Sequence, residues 1–388
     1  MSVRTTHFCV GNGDMMLVEF ESGRKLVVDI NIRTAADDPE DDTPDVAEQL
    51  RSRLARDSKG RLYIDAFLLT HPDEDHCRGL ARHFHLGPPS DWSKNADKIL
   101  IREMWSSPII FRRASKDHTL CDEAADWAWE ARRRVQLFRD NDGAVSDCDR
   151  ILIMGEDVDG KTDDLDEILI KTDGVFNRIC GSDDDSFEAR LFAPMIATDD
   201  DEEELLTKNN SSVVMRLELK VGGQTSARYL IGGDAEVAIW DRIWDRNKKV
   251  DVRLSYDVLI APHHCSWHSL SYDSWSEHGE DVEVSASARN ALGQALNKAL
   301  IISSSCEIVD DENDPPCIRA KREYEDILEP ISGRFRCLGD GNDTEPLVVN
   351  INAPTKKAES LLRKPAAAAA GFTFPNRGVK PDKPDGFA

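Results

Sequence analysis

The sequence predicts a layered α/β protein, and three observations carry that reading. Short apolar runs bounded by Gly, Asn or Asp fall into two groups, which is the pattern of strands joined by tight turns. Helical patterns lie between and after those groups, which fits a layered sandwich better than a simple βαβ series. Three of the strands end on loops rich in His and Asp. Element by element, residues 7–10 form a strand that enters the turn Gly11-Asn12-Gly13-Asp14. Residues 15–20 and 25–30 flank a second turn at Glu21-Ser22-Gly23-Arg24. Residues 46–56 read as a helix, 64–69 (IDAFLL) as a buried strand, and 79–85 as helical. Residues 120–139 are the clearest helix, with Trp127, Val135 and Phe138 among dense Arg, Glu and Ala; they sit in a partly helical insertion at about 90–200. Residues 213–220 and 228–231 make a second hairpin, followed by a helix over 235–246. Residues 258–261, 300–303 and 348–351 are further strands. Trp127, Trp129, Trp240 and Trp244, at helical spacing, read as core or interface rather than base-stacking platforms. No internal repeat is visible.

Composition narrows the function classes. The 388 residues carry 73 Asp and Glu against 49 Lys and Arg, a formal charge of −24, with 40% hydrophobic and 31% charged residues. That is too apolar for wholesale disorder. No apolar run approaches the ~18 residues a membrane span needs. The opening MSVRTTHFCVGNGDMM has no apolar stretch before a small-residue cleavage site, so the expectation is a cytoplasmic chain. Nine scattered cysteines, odd in number and never spaced C-x-x-C, fit reduced thiols better than a disulfide framework or a cysteine zinc site. The acid gathers in blocks at 37–42, 156–167, 183–185 and 199–204, read as solvated surface insertions because like charges repel. Residues 1–354 are expected to form one domain. Residues 355–388, with seven basic and three acidic residues amid Pro, Gly and Ala, read as a flexible tail. Its GFTF segment, like the acidic surface, is a candidate docking element for a protein partner. The charge also opposes long-range capture of a nucleic-acid polymer.

The chemistry concentrates at the end of IDAFLL, in Thr70-His71-Pro72-Asp73-Glu74-Asp75-His76-Cys77-Arg78-Gly79-Leu80. Two His and two Asp within six residues, on a loop leaving a buried strand, suit a divalent metal. Alternation sends His71, Asp73 and Asp75 to one side while His76 turns in at the helix start. Gly232-Gly233-Asp234 ends the strand over 229–231, and Ala261-Pro262-His263-His264-Cys265-Ser266-Trp267-His268-Ser269 ends the strand over 258–260. Isolated His7, His83, His85, His118 and His278 read as surface or satisfied core residues, His83 and His85 at most as outer supports of the site.

These segments resemble a known family. THPDEDHCRGL resembles the H-x-H-x-D-H signature of the metallo-β-lactamase fold in an H-x-D-x-D-H variant. CVGNGDMMLVEFESGRKLVVDI, NNSSVVMRLEL, LIGGDAE and VLIAPHHCSWHS are similar, in order, to segments of the soluble hydrolase domain of ComEC-type DNA-uptake proteins. The resemblance spans residues 7–350 and is weak across 90–200. It implies a four-layer αββα sandwich, with Asp29 as a buried orienting carboxylate. It further implies His71 and Asp73 on one metal, Asp75 and His76 on another, and Asp234 bridging. A histidine of the pair completes the second site: His263 is chosen because it follows the strand directly, with His264 its rival. The sequence departs from the family in three places. Asn209-Asn210-Ser211-Ser212 stands where many members have a further histidine. Cys265 replaces the glycine of HHGS, and Asn313-Asp314-Pro315-Pro316 replaces a His-Pro pair.

The implied cofactors are one or two divalent ions, Zn²⁺ or Mn²⁺, with metal residues His71, Asp73, Asp75, His76, Asp234 and His263. Two cations about 4 Å apart lower the pKa of a shared water from about 15.7 towards about 7. Asp75 is then expected to accept the water proton, and His264 or His268 to protonate the leaving oxygen. The expected activity is phosphodiester hydrolysis, on a nucleotide or a nucleic acid. Two alternatives differ in class: a degenerate member of the fold serving as an interaction or sensing module, and a hydrolase of a carboxylic ester, thioester or lactam.

Overall fold

Side-chain alternation along the strands decides the architecture, because neighbouring residues of a strand face opposite sides of a sheet. A computed structural model describes residues 3–38, 40–111, 120–157, 160–196, 209–341 and 344–353. The tail at 355–388, the acidic block at 199–204 and His118 lie outside the described residues. The chain is mixed α/β with two large sheets. The first runs in the order Leu169–Ile170, Arg150–Met154, Ile99–Ser106, Leu62–Leu69, Lys25–Val28, Met16–Glu19, Val3–His7 and Leu347–Ile351. The second runs Val175–Phe176, Phe187–Ala193, Val214–Val221, Gln224–Ile231, Tyr256–Ile260, Ala295–Cys306 and Arg334–Gly339.

Each sheet has an antiparallel part and a parallel part. In the first, Lys25–Val28 pairs antiparallel with Met16–Glu19 and parallel with Leu62–Leu69. In the second, Gln224–Ile231 pairs antiparallel with Val214–Val221 and parallel with Tyr256–Ile260. The loops that leave the carboxyl ends of these four parallel strands hold most of the candidate site. In open α/β sheets that is the edge where loops form crevices.

The sheets meet face to face. Met215, Leu217, Tyr229, Ile231, Val258 and Ile260 share a buried cluster with the first sheet, while the alternating Val214, Leu230 and Leu259 join a second cluster with helices. Aromatic rings bridge the interface: Phe20 stacks on Phe187 at 4.8 Å, and Trp105 meets Phe176 edge-on at 5.3 Å. Phe67, whose neighbour Leu68 pairs with Trp105 in register, points the other way and packs on Trp127 of the helix Asp122–Asp140. The outer face of the second sheet is covered by Val237–Asn247, Ala286–Leu292 and Ile318–Leu328, through Val237, Trp240, Ile243, Leu292 and Tyr324. Trp127 and Trp240 are therefore core, whereas Trp129 is exposed.

The stretch 90–200, read in the sequence as an insertion, is built into both sheets. Ile99–Ser106 and Arg150–Met154 belong to the first sheet and Phe187–Ala193 to the second. Arg102 and Glu103 break the apolar run of Ile99–Ser106 and hide it from pattern reading. Both have partners: Arg102 pairs with Asp65 at 2.9 Å and lies over the Tyr63 ring, while Glu103 accepts from Trp105 Nε1 at 2.8 Å. The acid at 37–38 and 40–42 is exposed, as expected of a solvated block. Asp184 departs from that expectation: it is buried and accepts from Ser22 and Ser186. Among the described residues no helix is long and apolar enough to cross a membrane, and no disulfide joins any cysteine.

Candidate metal centre

Four loops bring the site together, and backbone hydrogen bonds stitch them to one another. Asp14 N donates to Asp75 O at 3.3 Å, Val213 N to Thr70 O at 2.9 Å, and His263 N to Gly233 O at 3.0 Å. Two glycines are required by the close approach. Gly233 has φ +49°, and a Cβ there would sit 2.9 Å from Thr70 Oγ1; a Cβ on Gly13 would lie 2.1 Å from Asn31 Nδ2.

Asp29 supports the first loop from beneath. It is fully buried at φ +50°, a conformation that Asp tolerates better than most residues. Its two carboxylate oxygens accept from Thr70 N and Thr70 Oγ1, both at 2.7 Å, and one of them lies 2.9 Å from His76 Nδ1. This is the carboxylate–imidazole contact that fixes ring orientation in metal sites and leaves Nε2 for the ion.

Asp234 is the centre of the arrangement. It is buried, and Ser212 Oγ accepts its backbone N–H at 3.1 Å. Its two oxygens face different histidines. Oδ1 lies 3.0 Å from His76 Nε2 and 3.6 Å from His264 Nε2. Oδ2 lies 3.6 Å from both His71 Nε2 and His263 Nε2. One ligand atom from each of Asp14, His76, Asp234 and His264 falls within 4.8 Å of the other three, and all four residues are buried. This buried Asp/His cluster could hold a metal ion.

The donor atoms fit that role. His71 Nε2 and His264 Nδ1 are buried without a hydrogen bond, a costly state unless something else satisfies them, and His76 Nε2 and Asp234 Oδ1 face each other at 3.0 Å. Electrostatics divides the histidines: His76 and His264 must give up a proton before they can bind an ion, and His71 need not. Burial, aided by the neighbouring His76, pushes His71 down to about 4, so its ring is neutral at pH 7 with a lone pair to offer. Burial alone would also lower His76 and His264. The Asp234 and Asp29 carboxylates outweigh it at His76, holding that ring well above its ordinary value, and Asp234 with Asp75 raises His264 to about 9. Burial lifts the Asp14 carboxyl to about 6. Asp234 is held far below the usual carboxylate range because four imidazoles outweigh its burial.

The sequence-derived residues divide into three groups. His76, Asp234 and Asp75 come together, Asp75 Oδ2 lying 3.2 Å from His264 Nε2 with its own side chain 31% exposed. The histidine beside them is His264, whereas His263 sits with His71 at the other oxygen of Asp234. The cause is backbone conformation: His263, His264 and Cys265 have φ of +51°, +52° and +71°, so side-chain direction does not follow order along the chain. Asp73 is the N-cap of the short helix Glu74–Cys77, accepting from Glu74 N at 2.7 Å. His268 stands apart, 43% exposed, with Nε2 3.9 Å from the buried Asp314 Oδ2. His83 pairs with Asp37, and His85 contacts Pro88 O, both away from the cluster. Sequence reasoning missed Asp14 as a donor, although a carboxylate closing the glycine-bounded turn Gly11-Asn12-Gly13-Asp14 was a signal for it. Compared with known proteins, the chain matches no family model, and no curated protein matches it either.

Proposed function

We propose that this chain is a metal-dependent hydrolase of the metallo-β-lactamase fold, acting on a phosphodiester. The observation that carries the reading is Asp234, a buried carboxylate whose two oxygens each face a pair of histidines. Asp14, His76, Asp234 and His264 would hold one ion, and His71 and His263 with the far oxygen of Asp234 a second. This mixed nitrogen and oxygen donor set suits Zn²⁺ or Mn²⁺. When bound, such ions supply an acidified water and neutralise phosphate charge.

The chain's own groups do the rest. Asp29 orients His76, and Ser212 anchors Asp234. Asp75, partly exposed at the rim, accepts the proton of the attacking water. His268, open to solvent beside Asp314, donates a proton to the leaving oxygen, a role that contributes about 10²–10⁴-fold. The acidic surface favours short or small phosphodiesters over polymers, or a basic partner that delivers the polymer.

The test is metal content with a substrate panel of single-stranded DNA, duplex DNA, RNA and cyclic dinucleotides, with thioester and lactam controls. Hydrolysis stimulated by Mn²⁺ or Zn²⁺ and abolished in folded His76→Ala and Asp234→Ala supports the proposal. Unchanged turnover in either variant sinks it. Less than one ion per chain without Mn²⁺ activation points instead to an interaction or sensing module.

A further inference from the structure

The cysteine that follows His76 faces a second thiol. Cys77 Sγ is buried, donates to Asp73 O at 3.0 Å, and lies 3.8 Å from Cys121 Sγ. Cys121 is the N-cap of the helix Asp122–Asp140, its sulfur accepting from Ala124 N at 3.4 Å. The same helix end grips the same turn again, through Glu123 Oε1 and Gly79 N at 2.8 Å. This sulfur–sulfur contact thus lies between the metal-ligand turn and the start of the longest helix described.

We propose that Cys77 and Cys121 form a reversible disulfide that governs the metal centre, the coupling resting on the metal reading above. A disulfide needs its sulfurs about 2.05 Å apart, so closure draws them together by about 1.8 Å. One of the two residues drawn together, Cys77, adjoins His76.

The two thiols are unequal, which sets the order of events. Cys121 is partly exposed at a helix N-terminus, a setting that favours thiolate. Contact with the Cys77 sulfur, with the hydrogen bond from the Ala124 amide, holds its thiol down to about 7. Cys77 is fully buried and shielded from reagents. Cys121 thiolate therefore attacks one sulfur of a low-molecular-weight disulfide RSSR, forming Cys121–S–S–R and releasing RS⁻. Cys77 loses its proton to the released thiolate and attacks the Cys121 sulfur, expelling the second RS⁻, which takes a proton from solvent. The protein pair is oxidised by two electrons and RSSR is reduced to two RSH; the proton freed when Cys121 ionised balances the second.

The experiment treats the full chain with glutathione disulfide, maps peptides, and titrates Mn²⁺ before and after. The expected result is a Cys77–Cys121 bridge and Mn²⁺ affinity at least ~10-fold weaker, the scale of disturbing a ligand's surroundings, restored by dithiothreitol. Cys121→Ser and Cys77→Ser should each lack the bridge and the shift. Glutathione on the exposed Cys306 without any 77–121 bridge overturns the pair. A bridge that leaves Mn²⁺ affinity within about twofold overturns the coupling. If reduced protein binds neither Mn²⁺ nor Zn²⁺, the proposed function fails, and with it the coupling, while the bridge is still read by mapping alone.

Discussion

The loop that follows Leu62–Leu69 in the first sheet and the loop that follows Tyr256–Ile260 in the second both deliver histidines to Asp234, but by different means. In the first, His71 precedes a short helix capped by Asp73, and His76 is brought round by that helix with Asp29 behind its ring. In the second, three successive residues adopt positive φ, and the two adjacent histidines are turned to opposite oxygens of one carboxylate. One loop positions its donors through secondary structure and an outer carboxylate. The other does so through backbone conformation that is unfavourable in itself and is held by the buried surroundings of His264 and Cys265.

That contrast can be broken at several points, the most severe first. His264→Ala should weaken Mn²⁺ or Zn²⁺ binding by more than ~100-fold, beyond the range of outer-shell changes, and His263→Ala by much less. Isothermal titration of the two variants showing the reverse order would break the assignment of the two histidines. Asp29→Asn should cost roughly 10–100-fold in metal affinity with the circular dichroism spectrum unchanged, because the charged support of His76 is gone. An unaltered titration would mean that packing alone holds the ring.

Cys265→Gly sharpens the second half of the comparison. Glycine relieves the φ of +71°, while the loss of a buried sulfur opposes that gain, so denaturant unfolding should move by less than about 1 kcal/mol. A larger loss would show that the sulfur's packing, not the loop's backbone, dominates there. An effect confined to acid pH lies beneath the loops at His7, which burial pushes down to about 3. Its folded value is below the unfolded value of about 6.5, so the unfolded chain binds the extra proton. Its contribution is therefore complete above about 6.5 and is lost as pH falls towards 3, at up to about 1.4 kcal/mol per pH unit. In metal-free protein, His7→Gln should flatten the acid limb of the stability curve by that slope, as read from urea midpoints across this window.

The first loop was legible in the sequence because its information is local. IDAFLL is an unbroken buried strand, and the His and Asp that follow are spaced by strand alternation and one helical turn. Asp75, His76 and Asp234 were singled out by residue type at a strand end, whereas Asp29 entered only through the resemblance of its segment. The order of His263 and His264 was not legible, since positive φ at three non-glycine residues has no signature in HHCSWHS. Asp14 escaped because its carboxylate reaches the cluster only through the pairing of distant loops. Two of the missed strands share one cause: Arg102 and Glu103 in Ile99–Ser106, and Glu188 and Arg190 in Phe187–Ala193, look like surface residues until their partners are known.

The strand Val3–His7 is sandwiched between Met16–Glu19 and Leu347–Ile351, with Val3 opposite Ile351 and His7 opposite Leu347. During synthesis, therefore, the strand that leads to Asp14 has one open edge until nearly all the rest of the chain has left the ribosome. A nascent chain would expose that ladder as a ready template for pairing with another strand. The hairpin that carries Asp14 is thus closed locally, but its outer edge is covered only when Leu347–Ile351 arrives.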